Sequence, residues 1–289
     1  MSALYVVATP IGNLGDMSPR AVETLKSVGL IAAEDTRVTL KLLNHFDIHT
    51  PLVSCHQHNE ENMGPRICER MISEGIDCAL VTDAGTPAVS DPGTYLVKAC
   101  AERGIPVYAV AGPSAMAAAV SVSGFDLREF TFFGFLPREK KDLEEKLLSM
   151  RGHHRGAVVH ESPYRIKDLI AAVEKTLPEA MLSVSCDLTK LHETTLRGSP
   201  SAVLAELSAN EKSDKGEYCV VMDLRACPTA EAPAVNGASM EARLIEKMLS
   251  GLSLREARES LAAEGEKKNA VYAASLNVRK YLDDIGAEA

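Results

Sequence analysis

Asp83, Gly85 and Thr86 stand in the run Leu80–Pro92, LVTDAGTPAVSDP, where an apolar stretch ends abruptly in small and polar residues. A carboxylate, a hydroxyl and a glycine that lets a ligand approach the backbone can together grip a small polar molecule. Pro87 fixes φ and donates no N–H, which stiffens the turn. A second cluster, Glu34-Asp35-Thr36-Arg37, sets a carboxylate pair beside a guanidinium. It suits either a structural ion pair or a group that orients a phosphate or hydroxyl. Glu161 in HESPYR and Lys190 in LTK follow apolar runs, and either could help remove a proton or simply cap and solvate the chain there. GTP after Asp83 and GPSA at Gly112–Ala115 place backbone N–H groups at helix starts, suited to an anionic or carboxylate-bearing ligand.

Other chemistries fit less well. Neither GxGxxG nor GxxxxGK[ST] occurs at these turns, which argues against a nicotinamide dinucleotide or a P-loop nucleotide. Ser162 lacks a GxSxG frame, and Asp83 and Asp91 do not form the DxDxT pattern of a phosphoaspartate hydrolase. His56 and His58 alternate in an extended loop and so point opposite ways, with no second ligand pair, so a polar loop or a substrate contact is expected there and no metal. Seven cysteines, odd in number and without CxxC, read as small core fillers.

The elements that must carry these groups follow from the apolar runs. Leu4–Ala8, Leu30–Ala33, Leu52–Ser54, Cys78–Thr82 and Val107–Val110 read as buried strands. They end respectively in TPIGNLGD, AEDTR, CHQHNEEN, DAGTP and AGPSA. Ser18-Pro19 gives an N-cap and first-turn proline for a helix to about Val28, and prolines are expected to open the helices after DAGTP–SDP and at Pro113. Strands alternating with helices, each delivering a compact motif at its carboxyl end, specify a parallel α/β sheet with its site on one edge. The stretch 124–137, where phenylalanines concentrate, reads as an apolar connector. A second α/β unit follows, with strands expected at Ala157–His160, Leu182–Cys186 and Lys215–Leu224 and helices at 139–150, 165–176 and 199–207. Ala226–Gly237 reads as a linker, and three short helices should close the chain. The expected division is 1–123, 124–225, a linker 226–237 and a small helical domain 238–289.

The chain has 289 residues, a net charge of −9 and 46% hydrophobic residues. No apolar run approaches the roughly 18 residues of a membrane helix. A strand beginning by Leu4 leaves no room for a signal peptide, so a cytoplasmic location without membrane attachment is expected. Charge is unevenly spread. From Pro137 to Lys167, eight Lys/Arg against five acids give +3, so the remainder carries −12. One basic surface on an acidic protein suits a bulky anion touched at one face, although a solvated helix with mixed charges would read the same way.

Taken together, TPIGNLGD, IAAEDTR, HQHNE, ALVTDAGTP with SDPG, GPSA, GFLP, ESPYR, LTK and KGE, in this order, resemble the ribosomal RNA small subunit methyltransferase I family, within the tetrapyrrole-methylase fold class. The resemblance implies two α/β domains with S-adenosylmethionine in the cleft between them, a small helical carboxyl-terminal domain, and usually a homodimer. It implies 2′-O-methylation of a cytidine ribose in the decoding region of 16S ribosomal RNA, in the small ribosomal subunit. Carried over by motif, Ile11 and Gly12 line the first loop, Asp83, Gly85, Thr86 and Val89 form the cofactor loop, and Ser114 and Ala115 contact the methionine side. Thr86 stands where related methylases place an aspartate. Glu161 or His58 is expected as proton acceptor, Arg37 and Lys190 as orienters of phosphate or hydroxyl, with no metal. Arg138, Lys140, Lys141, Arg151 and Arg155 are expected on RNA phosphates. The alternatives are a small-molecule methylase of the same fold, whose first loops read differently, and a non-catalytic RNA-binding factor.

Overall fold

A computed structural model describes residues 2–228 and 239–284, which fall into two units, Met1–Pro228 and Thr229–Ala289. Most of the expected linker therefore lies outside the described residues, as do the last five residues.

The first half of the larger unit is built on β1 (Leu4–Val7), β2 (Leu30–Ala33), β3 (Leu52–Ser54), β4 (Cys78–Val81) and β5 (Val107–Val110), all parallel in the order β3-β2-β4-β1-β5. These strands are continuous apolar runs because both faces are covered. Leu4, Leu30, Ala32, Cys78 and Leu80 pack on α3 (Glu60–Glu74) and α4 (Thr94–Glu102). Ile31, Ala33, Ala79 and Val81 point the other way, onto α1 (Pro19–Ser27) and α2 (Thr36–His45). Ser18 caps α1 with Pro19 in its first turn, as the sequence predicts.

Helix α4 departs from expectation. It starts at Thr94 after Gly93, so Pro92 stands before the cap and not in the first turn. The cap comes from elsewhere: buried Glu60 accepts a hydrogen bond from the Gly93 N–H at 2.7 Å, placing a carboxylate at the positive end of α4. Gly64 of α3 lets the two helices meet, since a Cβ there would lie 3.2 Å from the backbone of Tyr95 and Leu96. In Gly64→Ala the gain in helix propensity, about 1 kcal/mol, opposes an overpacking cost of about 1–3 kcal/mol against backbone that cannot rotate away. A net loss of about 1 kcal/mol is expected, read as a melting temperature lower by about 2–4 °C; an increase would show that α3 and α4 slide freely.

The second half carries β6 (Thr131–Phe135), β7 (Gly156–Glu161), β8 (Met181–Cys186), β9 (Thr194–Gly198) and β10 (Tyr218–Asp223), in the order β6-β7-β10-β8-β9. Its sheet is mixed: β6 and β7 are parallel, while β10 runs antiparallel to both β7 and β8. Two of these strands escape the sequence reading. β6 lies in the presumed connector, where Gly134 (φ 63°) interrupts the register with a bulge. β9 is an edge strand, TTLRG, with too few apolar residues to show a pattern.

Helices α6 (Lys140–Met150), α7 (Ile166–Thr176) and α8 (Pro200–Ala209) cover one face of this sheet through Ala157, Val159, Leu182, Val184, Val220 and Met222. The other face, Val158, Cys219 and Val221, packs on α5 (Ala115–Ser123), which follows β5. Sequence AMAAAVSVS makes α5 small and apolar, so it lies close on the second sheet through Ala119, while Ala117, Ser121 and Val122 stay exposed. Its N-cap is Ser114, so Pro113, like Pro92, precedes the helix without opening it. Arg197 of β9 donates to the carbonyls of Val122 and Ser123 at the other end. Thus α5 fastens the first half to the second sheet, and Ile11 joins the same cluster.

The smaller unit is three helices, α9 (Met240–Leu249), α10 (Leu254–Ala263) and α11 (Lys268–Asp284), around Leu244, Ala257, Leu261, Val271, Ala274 and Val278. A capping box between Ser253 and Glu256 starts α10. No described helix is long and apolar enough to cross a membrane.

Candidate active site

Parallel strands deliver their loops to one edge, and α5 brings that edge of the first sheet against the carboxyl ends of β7 and β8. A cavity of about 350 Å³ lies at the seam, lined by Ile11, Ala84, Asp91 and Ala115 from the first half and by Phe135, His160, Glu161, Leu188, Glu217 and Tyr218 from the second. Its size suits a small organic ligand. A second groove, of about 270 Å³, lies along the first sheet and includes Gly12, Thr82 and Asp83.

The expected cofactor residues divide between these spaces. Ile11 and Ala115 line the cavity; Gly12 and Asp83 line the groove. Gly85 pairs with Thr9 through two backbone hydrogen bonds, of 2.9 and 3.0 Å, which staple the cofactor loop to the β1 loop. Its φ is 88°, a conformation natural to glycine, and it opens the wall above Ile11. Thr86 donates to the Pro113 carbonyl at 3.2 Å, tying the loops after β4 and β5 together. Ser114 is occupied as the α5 cap, and Val89 is exposed.

Of the expected catalytic residues, Glu161 lines the cavity and Lys190 stands beside it. The Glu161 side chain is 1% exposed; one oxygen accepts from the Ser162 N–H at 2.7 Å and the other lies 3.4 Å from Arg165. Lys190 bonds Asp187 at 2.7 Å and Glu217 at 2.9 Å, and its stem passes over Gly12. Burial alone would lower its pKa, but the two carboxylates outweigh burial and raise it, so Lys190 is a fixed cation and a poor base. Arg37 and His58 are not among the cavity-lining residues. Arg37 is largely exposed and clamped by Asp35, whose carboxyl it holds well below the usual range. His58 is exposed, its N–H donating to His56 Nδ1 at 3.2 Å.

Asp91, His160 and Glu217 are among the cavity-wall residues to which the sequence gives no site role. In the sequence Asp91 figures only beside Asp83, as a pair that does not form DxDxT, and His160 only as the end of the expected strand Ala157–His160. Burial, reinforced by Glu34 and Asp83, pushes Asp91 up to about 6. Burial also raises Asp83 and lowers His160, which is thereby neutral at pH 7. Backbone strain concentrates here too. Among the described residues, five besides glycine have positive φ, and four of them, Ala88, Ser90, Asp187 and Thr189, lie on the two loops that flank the seam.

The cavity fits a methyl donor with an adenosyl group and a zwitterionic tail. Ile11, Ala115, Leu188 and Phe135 offer apolar wall; a surplus of carboxylates suits a sulfonium and an ammonium; Glu161 and His160 each keep a buried polar atom without a hydrogen-bond partner.

The family described as Tetrapyrrole (Corrin/Porphyrin) Methylases matches residues 3–203. The chain is 40% identical over 265 residues to the ribosomal RNA small subunit methyltransferase I of Synechocystis sp., covering 91% of this chain and 93% of that protein. It is 45% identical to the protein of that name from Halalkalibacterium halodurans, covering 76% and 75%, and 38% identical to that from Escherichia coli O157:H7, covering 94% of each. Among solved structures, a uroporphyrin-III-C-methyltransferase from Thermus thermophilus aligns with a TM-score of 0.52 at 17% identity, over 78% of this chain and 96% of that one. A cobalt precorrin-4 methyltransferase aligns at 0.55 and 14%, over 78% and 96%; these two show the fold alone. The chain therefore belongs to the ribosomal RNA small subunit methyltransferase I family, on the tetrapyrrole-methylase fold.

Proposed function

We propose that this protein transfers a methyl group from S-adenosylmethionine to the ribose 2′-hydroxyl of a cytidine in the decoding region of 16S ribosomal RNA. The observation that carries the reading is the two-walled cavity, in a chain that aligns with ribosomal RNA methyltransferases over nearly its whole length. S-adenosylmethionine supplies an electrophilic methyl group on a good leaving group. The protein must then align two reactants and assist loss of a weakly acidic proton.

Ile11, Gly12, Asp83, Gly85, Thr86, Ala115 and the α5 start with Ser114 would hold the donor, and Val89 its outer edge. Glu161, fixed by Arg165, and the Lys190 cation would hold the ribose side. Arg37 and His58, on the outer rim of the first sheet, would meet the RNA beyond the reacting nucleotide. Phe135 and Tyr164 are 61% and 83% exposed at the cavity and on the adjoining loop, and offer ring faces to unpaired bases. A small ribosomal subunit is the proposed form of the substrate. A homodimer is proposed as well, since β5 is an edge strand with Tyr108 48% exposed.

Of the basic strip, Arg138, Lys140 and Arg155 are exposed and, among the described residues, form no ion pair, whereas Arg151 reaches toward Glu179 at 3.4 Å and Lys141 toward Glu145 at 3.8 Å. RNA affinity is expected to fall steeply with salt, and Arg138→Glu with Lys140→Glu to flatten the log–log slope by about 1–2, near 0.7 per single-strand phosphate contact. Filter binding across a salt series measures this; an unchanged slope would remove the strip from the interface.

The test of function is transfer of tritium from methyl-labelled donor to small subunits, naked 16S RNA and a tetrapyrrole. Label in RNA, recovered as 2′-O-methylcytidine, is expected. Label only in the tetrapyrrole, or RNA binding without transfer, would favour the other readings.

A further inference from the structure

We infer that Asp91 is the group that accepts the proton from the substrate hydroxyl, an inference that rests on the methyl-transfer reading above. The other acidic groups at the seam are already occupied. Glu34 accepts from the Thr82 hydroxyl at 2.5 Å and the Asp83 N–H at 3.3 Å. Asp83 accepts from the Asp35 N–H at 3.1 Å. Glu161 is held by Arg165 and Ser162, while Asp187 and Glu217 share Lys190. Each of these carboxylates is already engaged by a donor or a cation, although Glu161 Oε2 makes no hydrogen bond and is held only by the Arg165 charge at 3.4 Å. Asp91 alone makes no side-chain hydrogen bond or ion pair among the described residues, although it is half-buried in the cavity wall.

Its place in the fold suits the task. Ser90, beside it, is one of the strained residues and touches the opposite half, since a Cβ on Gly134 of β6 would lie 2.7 Å from its Oγ. The loop from Asp83 to Pro92 is closed on itself by the Ala88 N–H donating to the Pro92 carbonyl at 3.2 Å. Asp91 is therefore carried on a braced loop at the point where the two halves meet, where a ribose and a donor would be held together.

The groups that face it from the first half are Glu34 and Asp83, both acidic, with Arg37 acting on Asp83. From the second half the cavity presents His160, Glu161, Glu217 and Tyr218, with Arg165 and Lys190 committed behind the two glutamates. His160 is the one other uncommitted base. Its Nε2 is closed off from solvent and its ring is walled by Phe132 and Phe135 at 5.1 and 5.8 Å between centroids, so only its other ring nitrogen competes with Asp91, and His160→Asn is the variant that tests it. Desolvation and the neighbouring carboxylates make Asp91 more basic than an ordinary aspartate while leaving it ionised at neutral pH. In the reaction the hydroxyl O–H bond breaks as the O–methyl bond forms. The proton goes to an Asp91 carboxylate oxygen, the S–methyl bond breaks with its electron pair left on sulfur, and the proton then passes to solvent.

The test is the pH dependence of single-turnover methyl transfer at saturating donor, in wild type, Asp91→Asn, Asp91→Glu and His160→Asn, beside thermal melting of the ligand-free proteins. Wild type should rise through an inflection near the pKa of about 6. Asp91→Asn should lose about 100- to 10,000-fold in rate together with the inflection, with donor affinity kept; Asp91→Glu should retain the inflection, as should His160→Asn. Without ligand, wild type binds more protons folded than unfolded between the ordinary aspartate value of 3.8 and about 6, so its stability falls as pH rises through that window. Asp91→Asn removes this penalty: it should melt higher than wild type at pH 8 and match it near pH 4. An Asp91→Asn protein that keeps the inflection, loses donor binding, or melts no higher at pH 8 would overturn the assignment, as would an inflection that disappears in His160→Asn. Absence of transfer by wild type would instead count against the methyl-transfer reading itself.

Discussion

Gly12→Ala is expected to reduce methyl transfer and donor affinity by about 10- to 100-fold, and to cause no further loss in a Lys190→Ala background. A Cβ on Gly12 would lie 2.5 Å from Cγ of Lys190 and 3.1 Å from Oγ1 of Thr189, atoms that come from the opposite half of the unit. Lys190 cannot simply swing away, because Asp187 and Glu217 hold its ammonium. Displacing it forfeits a charge-assisted hydrogen bond to Asp187, worth about 1.5–3 kcal/mol, and a weaker, solvent-screened one to Glu217, whose side chain is 74% exposed. It also shifts Leu188, which lines the cavity. With Lys190 shortened to alanine the space is free, so the two changes should be strongly non-additive. Calorimetric titration of the donor into the three variants measures this; additive losses would mean that Gly12 acts on the donor without Lys190.

Arg165→Ala should destabilise the fold by about 2–4 kcal/mol, and Glu161→Gln in the same chain should restore a good part of it. Removing one member of a buried ion pair typically costs about 3–5 kcal/mol because the other charge stays desolvated. The Glu161 side chain is 1% exposed but Arg165 is 24% exposed, so solvent screening lowers the expected figure. Arg165 also donates to the Pro137 carbonyl at 2.7 Å, fixing the chain between β6 and α6. Denaturant midpoints of the single and double variants test the pair. Equal losses in Arg165→Ala and the double variant would show that the Pro137 contact, and not the charge of Glu161, is what matters.

These two sites show what is legible from residue order and what is not. The five strands of the first sheet are readable because burial on both faces demands unbroken apolar runs such as Leu30–Ala33, and their loops are readable because a parallel sheet must send every strand end to one edge. β6 was hidden by the bulge at Gly134, and β9 by its exposed edge position. Pro92 and Pro113 mislead for a different reason: a proline just outside a cap and one in the first turn look alike in sequence, and here Glu60 and Ser114 supply the caps. Within the site, Ile11, Ala115 and Glu161 were recognisable from motifs and line the cavity. Asp91 was not, because its environment is made by Glu34, Asp83 and the opposite sheet, residues distant in sequence that only folding brings near it. Likewise, Arg37 near Asp35 suits either a structural ion pair or a site element in sequence, and only the fold shows the two side chains paired at the rim.

The most direct measurement of the central claim is isothermal titration of S-adenosylmethionine, or its demethylated product, into the wild-type protein and into Ala115→Trp, which fills the cavity between the sheets from the start of α5. Saturable heat with one site per chain in the wild type, abolished in a variant that still melts cooperatively, is the predicted result. No heat in the wild type, or undiminished binding once the cavity is filled, would contradict the account.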